Sequence, residues 1–470
     1  MIASPAFRGK CYAVLGLARS GLATVEALAA SGAEVKAWDN SESVRESFRS
    51  SRAKSRGADT DSEVRPSPTL GTSEVFIQDI MEIDLGGYDG VVVSPGVPLN
   101  THPIAAKARA AGVPVIGDIE LFAQARPSLP PHKVVGITGT NGKSTTTALV
   151  HHILKTAGIP TTMGGNIGLP ILAQDPLPEG GVYVLELSSY QIDLTQSLDC
   201  DVAVLLNVTP DHLDRYEDFD AYRASKLRLF EMQSPTHVTV ITDGPGTEPV
   251  FERLFRYSGR HYQMCNTICP DILGVTVFDG QASFQTNPIG FQSDWPTLQG
   301  PHNAENAAAA ITVAVELDIP KATIAEALRT YPGLPHRMER VRERDGILFV
   351  NDSKATNTES TAPALAAYPY IHWIVGGRAK GEGLGPCADQ LGHVRAAYTI
   401  GEAGPMFAQL LEGRVPVRRS EVLERAVSEA AGAAKSGEVV LLSPACASFD
   451  QFRDYEARGD AFRAMVGALP

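Results

Sequence analysis

Cysteine is scarce and scattered. Six occur in 470 residues, at positions 11, 200, 265, 269, 387 and 446. Only Cys265 and Cys269 stand close together. They have no matching pair elsewhere and no histidine cluster beyond His261, so reduced, mostly buried thiols are a better reading than a structural zinc site. Long apolar runs are missing too. None reaches the roughly 18 residues that a membrane helix needs, and the first residues lack the charged-then-apolar pattern of a secretory signal. The expectation is a cytoplasmic protein with no membrane insertion. Positive charge is in deficit: the net charge is -13, which argues against a non-specific nucleic-acid binder. It leaves anionic substrates open, because lysines, helix N-termini and metal ions set the field at a site. Internal repeats, low-complexity tails and any likeness to a Ser-His-Asp triad are also lacking.

What is present is an ordinary globular composition, 43% hydrophobic and 20% charged. The length exceeds one core, and three domains are expected, over 1–125, 126–333 and 334–470. Apolar strand-like runs alternate with helical ones, which predicts an α/β protein whose domains are each built on a mostly parallel sheet.

The chain centres on Gly136-Ile-Thr-Gly-Thr-Asn-Gly-Lys-Ser-Thr145. An apolar run leads in and a helical run, Ser144 to Lys155, leads out. Strand, glycine-rich loop and helix together form a phosphate cradle: glycines let N–H groups turn toward an anion, and the helix N-terminus adds partial positive charge. Lys143 would reach the terminal phosphates and Ser144 would ligate Mg²⁺. The strict spacing puts a glycine where Ile137 stands; Gly136 is one place early and Gly139 two late. The bland alternative is a glycine-rich turn with a solvated lysine.

Before it, the strand Cys11–Leu15, the turn Gly16-Leu-Ala-Arg-Ser-Gly21, a helix and the strand Glu34–Trp38 ending at Asp39 form a β-α-β unit of dinucleotide type. Ala18 replaces the middle glycine, so NAD binding is weakly indicated. Arg49–Thr72 is polar and reads as an extended surface loop, partly disordered. After the phosphate loop, Gly181–Leu187 is a strand carrying Glu186, where a Mg²⁺-handling carboxylate belongs, or a salt-bridged strand acid. His212 lies past the end of the strand Asp201–Asn207, as ligand residues of open α/β sheets do, or as a surface histidine. Lys226 sits on a helical stretch and by composition is solvated. Asn303 and Asn306 share a helix face and suit a nucleotide base, or plain capping. Asn351-Asp-Ser-Lys-Ala-Thr-Asn357, on a strand-to-helix turn, is a second anion-site candidate.

Eight segments, in order across all three expected domains, resemble the Mur ligases: Gly139–Thr145, Leu185–Gln191, Asn207–Tyr216, Ser225–Arg228, His302–Asn306, Gly333–Arg337, Asn351–Asn357 and Leu442–Phe452. The last two, with Leu185–Ser189, are most similar to the members that add D-glutamate. The family shares the unusual loop spacing. The resemblance implies a cytoplasmic enzyme of peptidoglycan precursor synthesis, expected to be a monomer. ATP would phosphorylate the carboxylate of UDP-N-acetylmuramoyl-L-alanine, and the amine of D-glutamate would displace phosphate. Gly139, Thr140, Asn141, Gly142, Lys143, Ser144, Thr145, Asn303, Asn306, Arg337 and Asp352 would bind ATP. Ser144 and Glu186 would hold one Mg²⁺, and His212 with Lys226 a second, Lys226 being carbamylated by CO₂ into a metal-binding carboxylate. Lys143, His212 and Lys226 are the implied catalytic set. Arg19, Ser20, Asp39 and Asn40 would lie near the uridine diphosphate and Asn166 near the muramoyl group. Lys354, Thr356, Lys380, Ser448, Phe449 and Tyr455 would hold D-glutamate.

Three places depart from the family pattern: Ala18 in the first turn, Asp39-Asn-Ser where a uracil-side arginine is usual, and Gly376-Gly-Arg-Ala-Lys380. Rival readings are a sister amide ligase such as a folylpolyglutamate synthetase, a non-catalytic nucleotide switch, and an NAD-dependent dehydrogenase.

Overall fold

The computed structural model describes residues 1–57, 75–212, 214–242, 246–247, 260–264, 275–278, 281–284 and 287–469. Two compact units divide the chain: Met1–Val275 with Ala309–Thr323, and Thr276–Ala308 with Ile324–Pro470.

The first unit holds two parallel sheets. β1 (Cys11–Leu15), β2 (Glu34–Trp38), β3 (Val75–Ile77), β4 (Gly90–Val93) and β5 (Val115–Ile116) form the first, ordered β3-β2-β1-β4-β5. β6 (His132–Thr138), β7 (Thr161–Gly165), β8 (Gly181–Glu186), β9 (Val202–Leu205), β10 (Val238–Thr242) and β11 (Arg260–Met264) form the second, ordered β11-β10-β9-β6-β8-β7. Every residue of β4, β8 and β9 is buried. Unbroken apolar strands of this kind suit a parallel sheet covered on both faces. In both sheets the strand order reverses beside the first strand, β1 or β6. Open α/β sheets leave a ligand crevice at that point, outside the strands' C-terminal ends.

One core cluster runs from Val14 and Phe122 to Val134, Tyr183 and Leu205, so the two sheets share buried surface. Polar ties add to it: Glu120 accepts from the Gln196 and Ser197 backbone N–H groups at 2.7 and 2.9 Å, and Gly117 N donates to Leu194 O at 2.9 Å.

In the second unit β12 (Val275–Phe278), β13 (Gln281–Phe284) and β14 (Asn287–Phe291) make a three-stranded sheet, with β13 and β14 antiparallel. β15 (Glu339–Arg344), β16 (Ile347–Asn351), β17 (Ile371–Gly376), β18 (Val394–Ile400), β19 (Val417–Glu421) and β20 (Val439–Leu442) make a six-stranded one, ordered β15-β16-β20-β17-β18-β19. Only β15 runs antiparallel in it. The α/β class with mostly parallel sheets is therefore what the chain adopts. β15 and β19, Glu-Arg-Val-Arg-Glu-Arg and Val-Arg-Arg-Ser-Glu, are edge strands. Their charge disguised them in the sequence, and charged edges resist pairing with other chains.

The expected loop at Arg49–Thr72 is corrected in its first part. The helix Glu42–Gly57 runs through Arg49, anchored by buried Phe48. Its Ser/Arg/Lys-rich sequence has no helix breaker until Gly57, and polarity alone does not prevent a helix. Residues 58–72, and the Cys265/Cys269 pair, lie outside the described residues. Of the described cysteines, Cys200, Cys387 and Cys446 are buried, Cys11 is half-buried, and all are free. Among the described residues no helix is long and apolar enough to cross a membrane.

Candidate active site

The glycine loop joins β6 to the helix Lys143–Thr156. Gly142 caps that helix at φ 86°, a left-handed conformation that costs glycine little. Gly139 is at φ 151°, and a Cβ there would sit 3.0 Å from the Leu206 Cβ. The loop is braced by the segment after β9: Thr140 N donates to Asn207 O at 2.8 Å, Asn141 N to Asn207 Oδ1 at 2.8 Å, and Thr209 N to Thr140 Oγ1 at 3.0 Å. Lys143 folds over the loop and donates from Nζ to Gly139 O and Thr140 O, both at 2.8 Å. Buried Ser144 and half-buried Thr145 follow in the first helical turn.

Lys226 corrects the compositional reading. It is 1% exposed, on the helix Phe219–Glu231, and donates from Nζ to the same Gly139 O at 3.0 Å. Its amine lies 4.6 Å from the centre of the Tyr222 ring. Burial, and then the Lys143 charge, hold the amine well below its ordinary pKa; Asp211 and Asp193 oppose them. Helical periodicity decided this. Lys226 shares an inward face with Tyr222, Leu229 and Phe230, which a count of charges cannot show.

Glu186 ends β8 and is buried. Its Oε1 accepts from Asn166 Nδ2 at 3.1 Å, while Oε2 has no hydrogen-bond partner among the described residues. A buried carboxylate oxygen left this way calls for a cation or donor. His212 has a side chain that is 44% exposed and sits at φ 55°. Its ring packs 4.9 Å from Tyr190 and 6.1 Å from Tyr222. Burial pulls its pKa down, with Lys226 and Lys143 adding to that and Asp211 opposing. Lys143 and Lys226 thus meet at Gly139 O, and His212 lies within their electrostatic reach. Asn166 and Glu186 form a separate hydrogen-bonded pair. Tyr190, Tyr222 and Arg215 belong to this neighbourhood and were given no role in the sequence, because no local pattern marks which distant side chains will gather here.

At the first glycine turn, Gly16 has φ 92°, and a Cβ on Gly21 would clash with Gly16 O. Asp39 closes the turn: Leu17 N donates to Oδ2 at 2.8 Å and Ser41 N to Oδ1 at 2.9 Å. Arg19 donates to Gly168 O at 2.8 Å, and Asn40 is exposed. Ser20 lines a small cavity with Gly21, Thr24, Ser94 and Asp118. Asp118 is buried and its carboxyl is pushed up to about 6 by burial, against hydrogen bonding from Ile119 N and Ser20.

In the second unit, Asn306 Nδ2 donates to Asn303 Oδ1 at 3.2 Å and Asn303 Nδ2 to Gln299 O at 3.0 Å. Both amides are buried within the helix Pro301–Glu316 rather than capping it. Asp352 accepts from Ser443 Oγ at 2.8 Å and Met338 N at 3.2 Å; burial pushes its carboxyl up to about 7. Arg337 is half-buried, in the turn that includes Leu334. Lys380 reaches Thr356 Oγ1 at 3.3 Å, and the Lys354 amine lies 4.0 Å from the centre of the Tyr455 ring. Ser448 is buried, whereas Phe449 is 63% exposed. Arg458, not picked out in the sequence, is buried and donates to Ser353 O and Cys446 O at 2.9 and 3.0 Å.

Comparison with known proteins completes the picture. Residues 137–314 match the model of the Mur ligase middle domain, and 336–446 that of the Mur ligase, glutamate ligase domain. The UDP-N-acetylmuramoylalanine–D-glutamate ligase of Novosphingobium aromaticivorans is 59% identical over 100% of this chain and 97% of its own. That of Sphingopyxis alaskensis is 54% identical over the whole of both chains. Among solved structures, the MurF ligase of Thermotoga maritima in complex with ADP superposes with a TM-score of 0.57 at 16% identity, covering 97% of this chain and 94% of the other. That similarity speaks for the fold alone. With a phosphate loop braced as described and full-length identity of this order, the chain belongs to the Mur ligase family, on the branch of the UDP-N-acetylmuramoylalanine–D-glutamate ligases.

Proposed function

We propose that this chain joins D-glutamate to the alanine carboxyl of UDP-N-acetylmuramoyl-L-alanine at the expense of ATP, in peptidoglycan precursor synthesis, acting as a cytoplasmic monomer. The observation that carries the reading is the phosphate loop with two lysines meeting at Gly139 O, in a chain that matches D-glutamate-adding relatives along its whole length. The γ-phosphoryl group is transferred from ATP to the alanine carboxylate, and ADP is the leaving group. The D-glutamate amine then attacks the acyl carbon, phosphate departs and the amine loses a proton. Lys143 neutralises the moving phosphoryl group and the loop Gly139 to Thr145 orients it, held in shape by the bonds of the Thr140 and Asn141 N–H groups to Asn207.

Ser144 with Glu186 would hold one magnesium ion, and His212 with Lys226, once carbamylated, a second. The lone Glu186 Oε2 supports the first. Lys226 supports the second: its amine is buried beside another cation, and CO₂ addition would exchange that conflict for a negative charge. When bound, such ions supply positive charge to the phosphoryl oxygens. Asn303, Asn306, Arg337 and Asp352 take part in ATP binding. Lys354, Thr356, Lys380, Ser448, Phe449 and Tyr455 hold D-glutamate, supported by the Lys380–Thr356 and Lys354–Tyr455 contacts. Arg19, Ser20, Asp39 and Asn40 serve the uridine diphosphate, and Asn166 the muramoyl group. Residues 1–125, 126–333 and 334–470 are the corresponding functional divisions.

The test is phosphate release from Mg·ATP with UDP-N-acetylmuramoyl-L-alanine, comparing D-glutamate with L-glutamate, L-lysine and meso-diaminopimelate. Release that requires D-glutamate, with the amide product seen by mass spectrometry, is the expected result. Release with a different amino acid would assign another acceptor, and ATP binding without release would leave a nucleotide switch.

A further inference from the structure

The loop that carries His212 is fastened to the region after β4 by two side chains, and Arg215 makes two of the three bonds. At φ 55°, His212 occupies a region that non-glycine residues hold only where their surroundings enforce it. Two of its supports are local: His212 N donates to Asp211 Oδ1 and Arg215 N donates to His212 O, both at 2.9 Å. The third reaches across the unit. Arg215 donates from Nη2 to Gly96 O at 2.9 Å and from Nη1 to Val97 O at 3.1 Å, on the turn after β4. Its guanidinium lies 4.8 Å from the centre of the Tyr190 ring, and that ring is 4.9 Å from the His212 ring. Asn100 Nδ2 adds a bond to Asp214 O at 3.1 Å. The turn in question abuts the first glycine turn, since Ser94 Oγ donates to Gly16 O at 3.1 Å. Arginine suits this position because its planar fork spans two consecutive carbonyls while its face stacks on an aromatic ring, whereas lysine offers one point charge.

Resting on the functional reading above, we propose that Arg215 is a positioning residue for the ligase reaction. It holds the His212 loop in register with the Ser94–Val97 turn, so that a muramoyl substrate seated at the first sheet meets a correctly placed His212. It works through His212 and the turn rather than by touching reacting atoms.

Arg215→Ala, Arg215→Lys and Asn100→Ala in the full chain test this. The readouts are steady-state kinetics, thermal melting and the ¹³Cε1 resonance of His212. A misplacement of about 1 Å can cost about 100-fold in rate. Arg215→Ala should therefore lose about 100-fold in kcat/KM for the UDP substrate, while the KM for ATP moves less than about threefold. Arg215→Lys should recover under about a tenth of that loss, because it lacks the fork, and Asn100→Ala should lose about threefold. The His212 resonance should move in both Arg215 variants, with melting close to wild type. Unchanged kinetics with an unmoved His212 resonance would overturn the proposal. So would full recovery in Arg215→Lys, or kinetic losses that follow the melting temperature. Should Arg215→Ala fail to fold, the other two variants carry the test. If the wild type shows no D-glutamate-dependent phosphate release, the functional reading falls; the His212 resonance still decides whether Arg215 holds the loop, and an unmoved resonance rejects that.

Discussion

Two glycine turns follow the first strands of two parallel sheets, and they have been put to different uses. At Gly16 the free N–H of Leu17 is taken by the protein's own Asp39 carboxylate, and a second acid, Asp118, is buried behind the turn. At Gly139 the loop carbonyls are met by two lysine side chains, Lys143 and Lys226. The backbone logic is shared: a glycine with positive φ lets the strand turn into a helix whose N-terminus faces the crevice. The electrostatics are opposite. The first turn gathers two acids, Asp39 and Asp118. The second brings the Lys143 charge to where phosphates would lie. A glycine fingerprint therefore identifies a scaffold, and the charged side chains brought to it decide the ligand.

Removing the positive charge is the strongest way to break this contrast. Lys143→Ala should lower ATP-dependent phosphate release by about 10⁴-fold, the scale at which a cation on a transferring phosphoryl group acts, with an unchanged circular dichroism spectrum. Near-normal turnover would remove Lys143 from the chemistry. Next is Lys226→Ala, expected to cost about 10³-fold and to regain part of its activity with added short carboxylic acids. Full activity without such an acid would end the carbamate reading.

The buried acid at the first turn should be visible in the pH dependence of stability. The folded pKa of Asp118 lies above its unfolded value, about 6 against 3.8. Its contribution to stability is thus fully present below about 4 and is lost as pH rises through about 6. Relative to Asp118→Asn, the wild type should lose roughly 3 kcal/mol across that window in denaturant titrations, at about 1.4 kcal/mol per pKa unit. A parallel pair of curves would show that the carboxyl ionises freely. The smallest effect is expected from Asp39→Asn, which weakens one side of the turn's closure. The KM for the UDP substrate should rise about tenfold while that for ATP stays put; an equal change in both would mean that the two turns are not separable.

Much of this site was legible in the chain. Gly139–Thr145, Glu186 at the end of an apolar strand and His212 past another are all local patterns, and each lies on the element expected of it. Asp39 was marked by its distance from the first turn, and its carboxylate is found within that turn. Lys226 was legible only through resemblance: its own surroundings in the sequence, Ala-Ser-Lys-Leu-Arg-Leu, look like a solvated helix face. Asn303 shows the same limit, since a residue fit to cap a helix is instead paired with Asn306 inside one. The helix through Arg49 was missed because polarity was taken for disorder.

The sequence by itself determined the apolar strands, the two glycine turns and the helices they feed, because apolar run length, the missing Cβ of glycine and backbone sterics act over a few neighbouring residues. Only the tertiary structure decided what faces those turns. Lys226 meets Gly139 across 87 positions, and Arg215 meets Val97 across 118. Burial, the depressed amine and the fork on two carbonyls arise only when parallel strands bring such distant segments to one sheet edge, and no local pattern encodes which of the chain's many lysines and arginines will arrive there.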